Sequence, residues 1–136
     1  TSSGIATGGR PAVGSFLAAN KHRYAVIDKE MTRREALNHC QSLGGYLVRI
    51  ESVEEQRIVE DAVKASSLGT VHIDGRYDGG IRAWVLKDGS RMSFFNWRSG
   101  EPGRSRDRTI GMKGETGLWA SVDQDTKMGF VCEWDK

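Results

Sequence analysis

The sequence predicts an α+β fold, with two amphipathic helices in the first half and antiparallel β-structure in the second. Three observations predict it. Thr32 stands three positions before Glu35 and Ser52 three before Glu55, and each pair is followed by apolar residues at helical spacing. After Gly69 that spacing gives way to short apolar runs divided by turn residues. Between two of those runs sits Asp88-Gly89, a hairpin signal.

Taken in order, residues 1–20 read as a flexible Gly/Ser-rich tail or linker, with Gly4, Gly8, Gly9, Pro11 and Gly14 set among Ser, Thr and Ala. A short docking segment over Ser15–Ala19 is the other reading, because Phe16 and Leu17 offer apolar surface. The folded domain is expected over 21–136. Tyr24–Ile27 suits a strand. In the first helix the Thr32 hydroxyl and Glu35 carboxylate satisfy two backbone N–H groups, Ala36, Leu37, Cys40 and Leu43 form one face, and Gly44-Gly45 stop it. Tyr46–Ile50 is short and extended. Ser52 and Glu55 repeat the capping box ahead of an Ile58, Val59, Ala62, Val63 stripe, which ends at Ser66–Gly69.

Val71–Asp74 is the next strand. Ile81–Leu86 and Met92–Phe95 flank the two-residue turn, both of whose residues are expected at positive φ. Ser99–Arg108 is a polar loop, and Thr109–Met112, Leu118–Val122 and Met128–Trp134 are short strands. In the last, Met128, Phe130, Cys132 and Trp134 alternate with smaller residues, so Cys132 faces inward. Asp74–Gly79 and Asp123–Asp125 read as turns, since neither has the Gly and terminal Glu of an EF-hand loop.

Composition excludes several classes. A chain of 136 residues is one domain and can bury roughly two-thirds of its unfolded surface. Its apolar fraction of 38% excludes a disordered chain. No apolar run approaches the ~18 residues of a membrane span. Twenty basic against eighteen acidic residues give a net charge of +2, too balanced to indicate nucleic acid. His22, His39 and His72 have no zinc spacing, and no phosphate loop, nucleophile elbow or zinc-protease motif occurs. No catalytic residue, metal or cofactor is therefore expected. Cys40 and Cys132 are too few for a disulfide-rich scaffold; they form one long-range disulfide or two buried thiols.

The local chemistry that stands out is the basic run Arg98, Arg104, Arg106, Arg108 and Lys113. Guanidinium forks match carboxylate, sulfate and phosphate, and Arg104, Arg106 and Arg108 would project one way from an extended chain. The run suits a sulfated or sialylated glycan or an acidic protein patch. Alternatively it is a solvated loop, paired with Glu101, Asp107 and Glu115. Trp84, Trp97, Trp119 and Trp134 could stack on sugars or fill the core.

The stretch Glu35-Ala36-Leu37-Asn38-His39-Cys40-Gln41-Ser42-Leu43-Gly44-Gly45-Tyr46-Leu47-Val48-Arg49-Ile50 resembles the opening of C-type lectin-like domains. Ser52–Gln56, Lys87-Asp88-Gly89-Ser90, Phe95-Asn96-Trp97, Gly100-Glu101-Pro102, Gly117-Leu118-Trp119 and Phe130-Val131-Cys132-Glu133 follow in that family's order. The resemblance implies a lectin-like fold with a long loop region, and a disulfide between Cys40 and Cys132. Such a bond, closing a loop of roughly ninety residues, is worth about 4–5 kcal/mol on the chain-entropy model. It implies an oxidising compartment, extracellular or at the cell surface. It also places Trp97 and Trp119 in the core.

The departures matter equally. Thr109 and Gln124 stand where the family's second disulfide would be, and Arg33 replaces its helix-one Trp. The family's calcium site becomes Glu101-Pro102-Gly103, Asp107 and Trp119-Ala120-Ser121, which lacks most of the side-chain oxygens such an ion needs. The resemblance thus implies a non-enzymatic, calcium-independent recognition module. Its expected ligand is a protein or an anionic glycan, not nucleic acid, held through Arg98, Glu101, Arg104, Arg106, Asp107, Arg108 and Lys113 within a larger surface or secreted protein. The alternatives are a calcium-dependent carbohydrate-binding lectin using Glu101 and Asp107, and a structural or display domain of an adhesin or receptor.

Overall fold

Thr32 caps α1 (Arg33–Ser42) as its sequence predicts: its hydroxyl accepts from the Glu35 N–H and the Glu35 carboxylate accepts from the Thr32 N–H. The computed structural model describes residues 15–103 and 108–135. Ser52 caps α2 (Val53–Ser66) through the Glu55 N–H. Here the reciprocal half of the expected box is missing. Glu55 Oε1 instead accepts from the Glu51 N–H at 3.0 Å, and Oε2 accepts from the Tyr24 hydroxyl at 3.3 Å. A long-range partner has drawn the carboxylate away from its local one.

The remaining elements form a single eight-stranded sheet. They are β1 (Phe16–Leu17), β2 (Arg23–Met31), β3 (Tyr46–Leu47), β4 (Thr70–Asp78), β5 (Ala83–Val85), β6 (Arg108–Lys113), β7 (Trp119–Asp123) and β8 (Met128–Trp134). The order is β1-β2-β8-β4-β6-β7, with β3 paired to β8 and β5 to β4. β8 is central and buried along its whole length. It runs antiparallel to β2 (Arg23 opposite Trp134) and parallel to β4 (Val71 opposite Gly129). The sheet is therefore mixed, whereas the sequence pattern predicts antiparallel pairing alone.

Two strands outrun their apolar runs. β2 continues through exposed Asp28-Lys29-Glu30 to Met31, past a register shift. β4 continues through Gly75 to Asp78 and pairs with β5, so the turn expected over Asp74–Gly79 is strand up to Asp78. Gly75 makes this possible. A Cβ there would stand 2.5 Å from Ile110 Cδ1, beside the register shift between Ile73 and Arg76.

The Asp88-Gly89 turn forms, with Gly89 N–H donating to Leu86 O and Leu86 N–H to Ser90 O, each at 2.9 Å. Only Gly89 takes positive φ, at 90°, so this is a three-residue loop rather than the two-residue one expected. Met92–Phe95 is not a strand. Phe94 and Phe95 turn into an aromatic group instead, against Trp119 and Trp97.

The core has two parts. Beneath α2 lie Tyr24, Val59, Val63, Val71, Ile73, Ile110, Met112, Trp119 and Val131. Beneath α1, Ala36, Leu37 and Leu47 surround a disulfide between Cys40 and Cys132, with Phe130 and Trp134. Trp84, Trp119 and Trp134 are buried and Trp97 half-buried. Packing thus accounts for all four indoles, including the two that the sequence leaves undecided.

Candidate functional site

The loop that follows Trp97 is anchored by one carboxylate. Glu101 Oε1 accepts from the Gly103 N–H at 2.7 Å, the Ser121 N–H at 3.1 Å and the Ser121 hydroxyl at 3.1 Å. Its Oε2 accepts from Arg98 Nη2 at 3.2 Å. The Glu101–Pro102 peptide is cis. Donation by the Ser121 backbone, helped by its hydroxyl, the Gly103 N–H and Arg98, holds the Glu101 carboxyl below the usual carboxylate range.

These contacts bear on calcium. Oε1, already facing three N–H and O–H donors, has no lone pair to offer a cation, and Oε2 faces the Arg98 guanidinium, whose charge repels one. Gly103 supplies no side chain, Ala120 supplies a methyl, and Ser121 Oγ itself accepts from the Gly103 N–H at 2.7 Å. Calcium takes six to eight oxygens, and the described residues here do not fit it. Arg104, Arg106 and Asp107 lie outside the described residues.

The other basic residues part company. Arg108, at the start of β6, lays its guanidinium 4.3 Å from the Tyr77 ring centroid and donates from Nη1 to Gly103 O at 3.0 Å. Lys113 is the last residue of that strand and projects to the opposite face. There it meets Arg98, whose side chain is 59% exposed, across a shallow hollow of about 80 Å³. The structure therefore joins Arg98 to Glu101 and Arg108 to Gly103, and sets Arg98 and Lys113 around one hollow, but does not bring Lys113 to Arg108. Below the loop, Phe95 stacks on Trp97 with centroids 5.9 Å apart, and its ring is 37% exposed.

A second polar cluster escapes the sequence entirely. His22 Nδ1 lies 2.6 Å from Glu133 Oε2, and Glu133 Oε1 accepts from the Arg49 N–H at 2.9 Å. With Glu55 they bring three ligand atoms within 4.8 Å of one another, the single such His/carboxylate group among the described residues that could hold a metal ion. Burial pushes the Glu133 carboxyl up to about 6, against the pull of the Arg49 N–H and His22. His22 is raised by its hydrogen bond to Glu133. No spacing could reveal a pair 111 positions apart. A third long-range pair, Arg33 with Asp74, is buried under α1, with Nη2 and Oδ1 2.6 Å apart.

The comparisons with known proteins agree with this geometry. The Lectin C-type domain model matches residues 29–134. Collectin-11 of Danio rerio is 30% identical over 130 residues, covering 92% of this chain and 47% of that protein. The chain thus spans about half the length of the first curated relatives it matches. The crystal structure of human lithostathine aligns with a TM-score of 0.81 at 25% identity, over 93% of this chain and 92% of the other. A calcium-independent type II antifreeze protein shares the fold, with a TM-score of 0.77 at 23% identity over 91% and 93% of the two chains. Its neighbours are non-enzymatic, lectin-like binding domains, and with the family model matched over most of its length the chain belongs to the C-type lectin domain family.

Proposed function

We propose that this binding module works without calcium, outside the cell, and takes an anionic glycan through the long-loop region from Arg98 to Lys113. The observation that carries the reading is the state of Glu101, whose carboxylate is already engaged by Gly103, Ser121 and Arg98. With that oxygen occupied, charge recognition falls to the basic residues around it. Arg98 and Lys113 face solvent together, and Arg104 and Arg106 stand between them in sequence. The Cys40–Cys132 disulfide supports an oxidising compartment. The share of collectin-11 that the chain covers supports its being one module of a larger surface or secreted protein.

A glycan array run in EDTA, with sulfated, sialylated and neutral sugars, tests the reading. Anionic sugars are expected to bind, with signal fading as salt rises, and R104E with R106E is expected to abolish it at unchanged melting temperature. Binding that requires added calcium would overturn the reading. So would a preference for neutral sugars, while a blank array would move the ligand to an acidic protein surface.

A further inference from the structure

Arg33 opens α1 but turns inward and is 6% exposed. Its Nη2 donates to Asp74 Oδ1 at 2.6 Å, while its Nε is buried without an acceptor. Asp74, 2% exposed, also accepts the Lys87 N–H on Oδ2 at 2.9 Å. The Arg33 N–H donates to Gln124 O at 3.2 Å. One buried ion pair and its backbone bonds thus tie three segments together: the start of α1, the turn after β5 and the turn between β7 and β8.

Those three segments enclose a hollow of about 510 Å³, within the range of small-molecule sites. Arg33, Arg34 and Asn38 line it from α1, Lys87 from the second wall, and Gln124 and Asp125 from the third. With Arg33 paired to Asp74, the two bases Arg34 and Lys87 face the one acid, Asp125. Arg34 and Lys87 are exposed and form no ion pair among the described residues. Leu37 is the one apolar side chain in the lining, so an apolar ligand has little to gain there.

We propose that this hollow is a binding site, separate from the long loop, for a sulfate or phosphate ester. A tetrahedral oxyanion presents acceptors in every direction, which suits guanidinium, ammonium and amide donors converging from three walls. Asp74 holds Arg33 and the Lys87 backbone in place, which leaves the Arg34 and Lys87 side chains for the ligand to order. The inference is independent of the loop reading and uses none of its residues.

The test titrates the full chain with inorganic sulfate, and separately with inorganic phosphate, at constant ionic strength, following backbone amides by NMR. Saturable shifts are expected at Arg34, Asn38, Lys87 and Gln124. K87E and R34E, both at exposed positions, should weaken binding at least tenfold, D125N should tighten it, and R57E, at an exposed position of α2, should leave it unchanged. N-acetylglucosamine 6-sulfate and glucose 6-phosphate, as separate arms, distinguish the two ester sources. Shifts that grow linearly to the highest concentration would overturn the proposal. Equal losses in K87E and R57E would do the same, since they would mark a diffuse response to charge.

Discussion

Glu101 and Glu133 are both hydrogen-bonded carboxylates, yet their carboxyl groups are pushed in opposite directions. Each accepts from backbone N–H and from one basic side chain, Arg98 for Glu101 and His22 for Glu133. Two things differ, the donors and the water: Glu101 accepts four hydrogen bonds and Glu133 two. Glu101 keeps a side-chain exposure of 15%, and its donors hold it below the usual range. Glu133 is 1% exposed, and desolvation outweighs its donors and lifts it to about 6. The lesson is that donors and contact with water together, not either alone, set a carboxylate's proton affinity. Asp74 extends the pattern, since burial raises it too despite Arg33 and the Lys87 N–H.

The largest expected effect tests the frame that holds both buried carboxylates. Replacing Cys40 and Cys132 together by Ser should cost about 4–5 kcal/mol in denaturant unfolding, on the chain-entropy model for their separation of 92. Asp74→Ala comes next. It leaves a buried guanidinium without its counter-charge, at about 3–5 kcal/mol, whereas a loss under 1 kcal/mol would mean that water reaches Arg33.

The pH behaviour of the two glutamates sharpens the contrast. Both Glu133 and His22 have raised folded values, so the stability they contribute is full below the unfolded values and is lost as pH rises. For Glu133 the window is 4.5 to about 6, worth about 2 kcal/mol, and for His22 it lies above 6.5. E133Q should therefore flatten the fall in melting temperature between pH 5 and 7 and return His22 toward 6.5 by NMR titration. Glu101 has the opposite sign: its contribution is present above 4.5 and lost as pH falls through the lowered value. E101Q should cost about 1–2 kcal/mol and do so only near neutral pH. Faster amide exchange at Gly103 and Ser121 is the local readout, and protection unchanged there would show that the loop does not depend on this carboxylate.

Helices were readable because their signals are local. Thr32 and Glu35 carry the whole α1 cap, and the Val59 and Val63 stripe points α2 at the core. Strand ends were not, because nothing near Asp28-Lys29-Glu30 distinguishes a solvated strand from a loop; only pairing across the sheet does. Met92–Phe95 misleads in the opposite way, being an apolar run that serves aromatic packing rather than a strand. The basic loop was visible as composition, but whether its charges are engaged was not. Arg108 is spent on Gly103 and Tyr77, a fact of three dimensions. The pairs His22–Glu133 and Arg33–Asp74 join residues 111 and 41 positions apart, beyond the reach of any spacing rule.

The antiparallel pairing of β2 with β8 has a mechanical consequence. Arg23 and Trp134 lie side by side, so tension applied to the two ends of the domain would peel these strands apart rung by rung rather than slide them. Peeling can free Trp134 and Glu133 from Arg23 and Tyr24. The next rung is Ala25 opposite Cys132, and beyond it the pull runs on through β2 and α1 as far as Cys40, where the Cys40–Cys132 bond carries the load across. Everything between those cysteines, including the long loop and the Lys87 and Gln124 walls of the hollow, is then shielded from the pull, whereas Arg33, Arg34 and Asn38 precede Cys40 and stay on the loaded path.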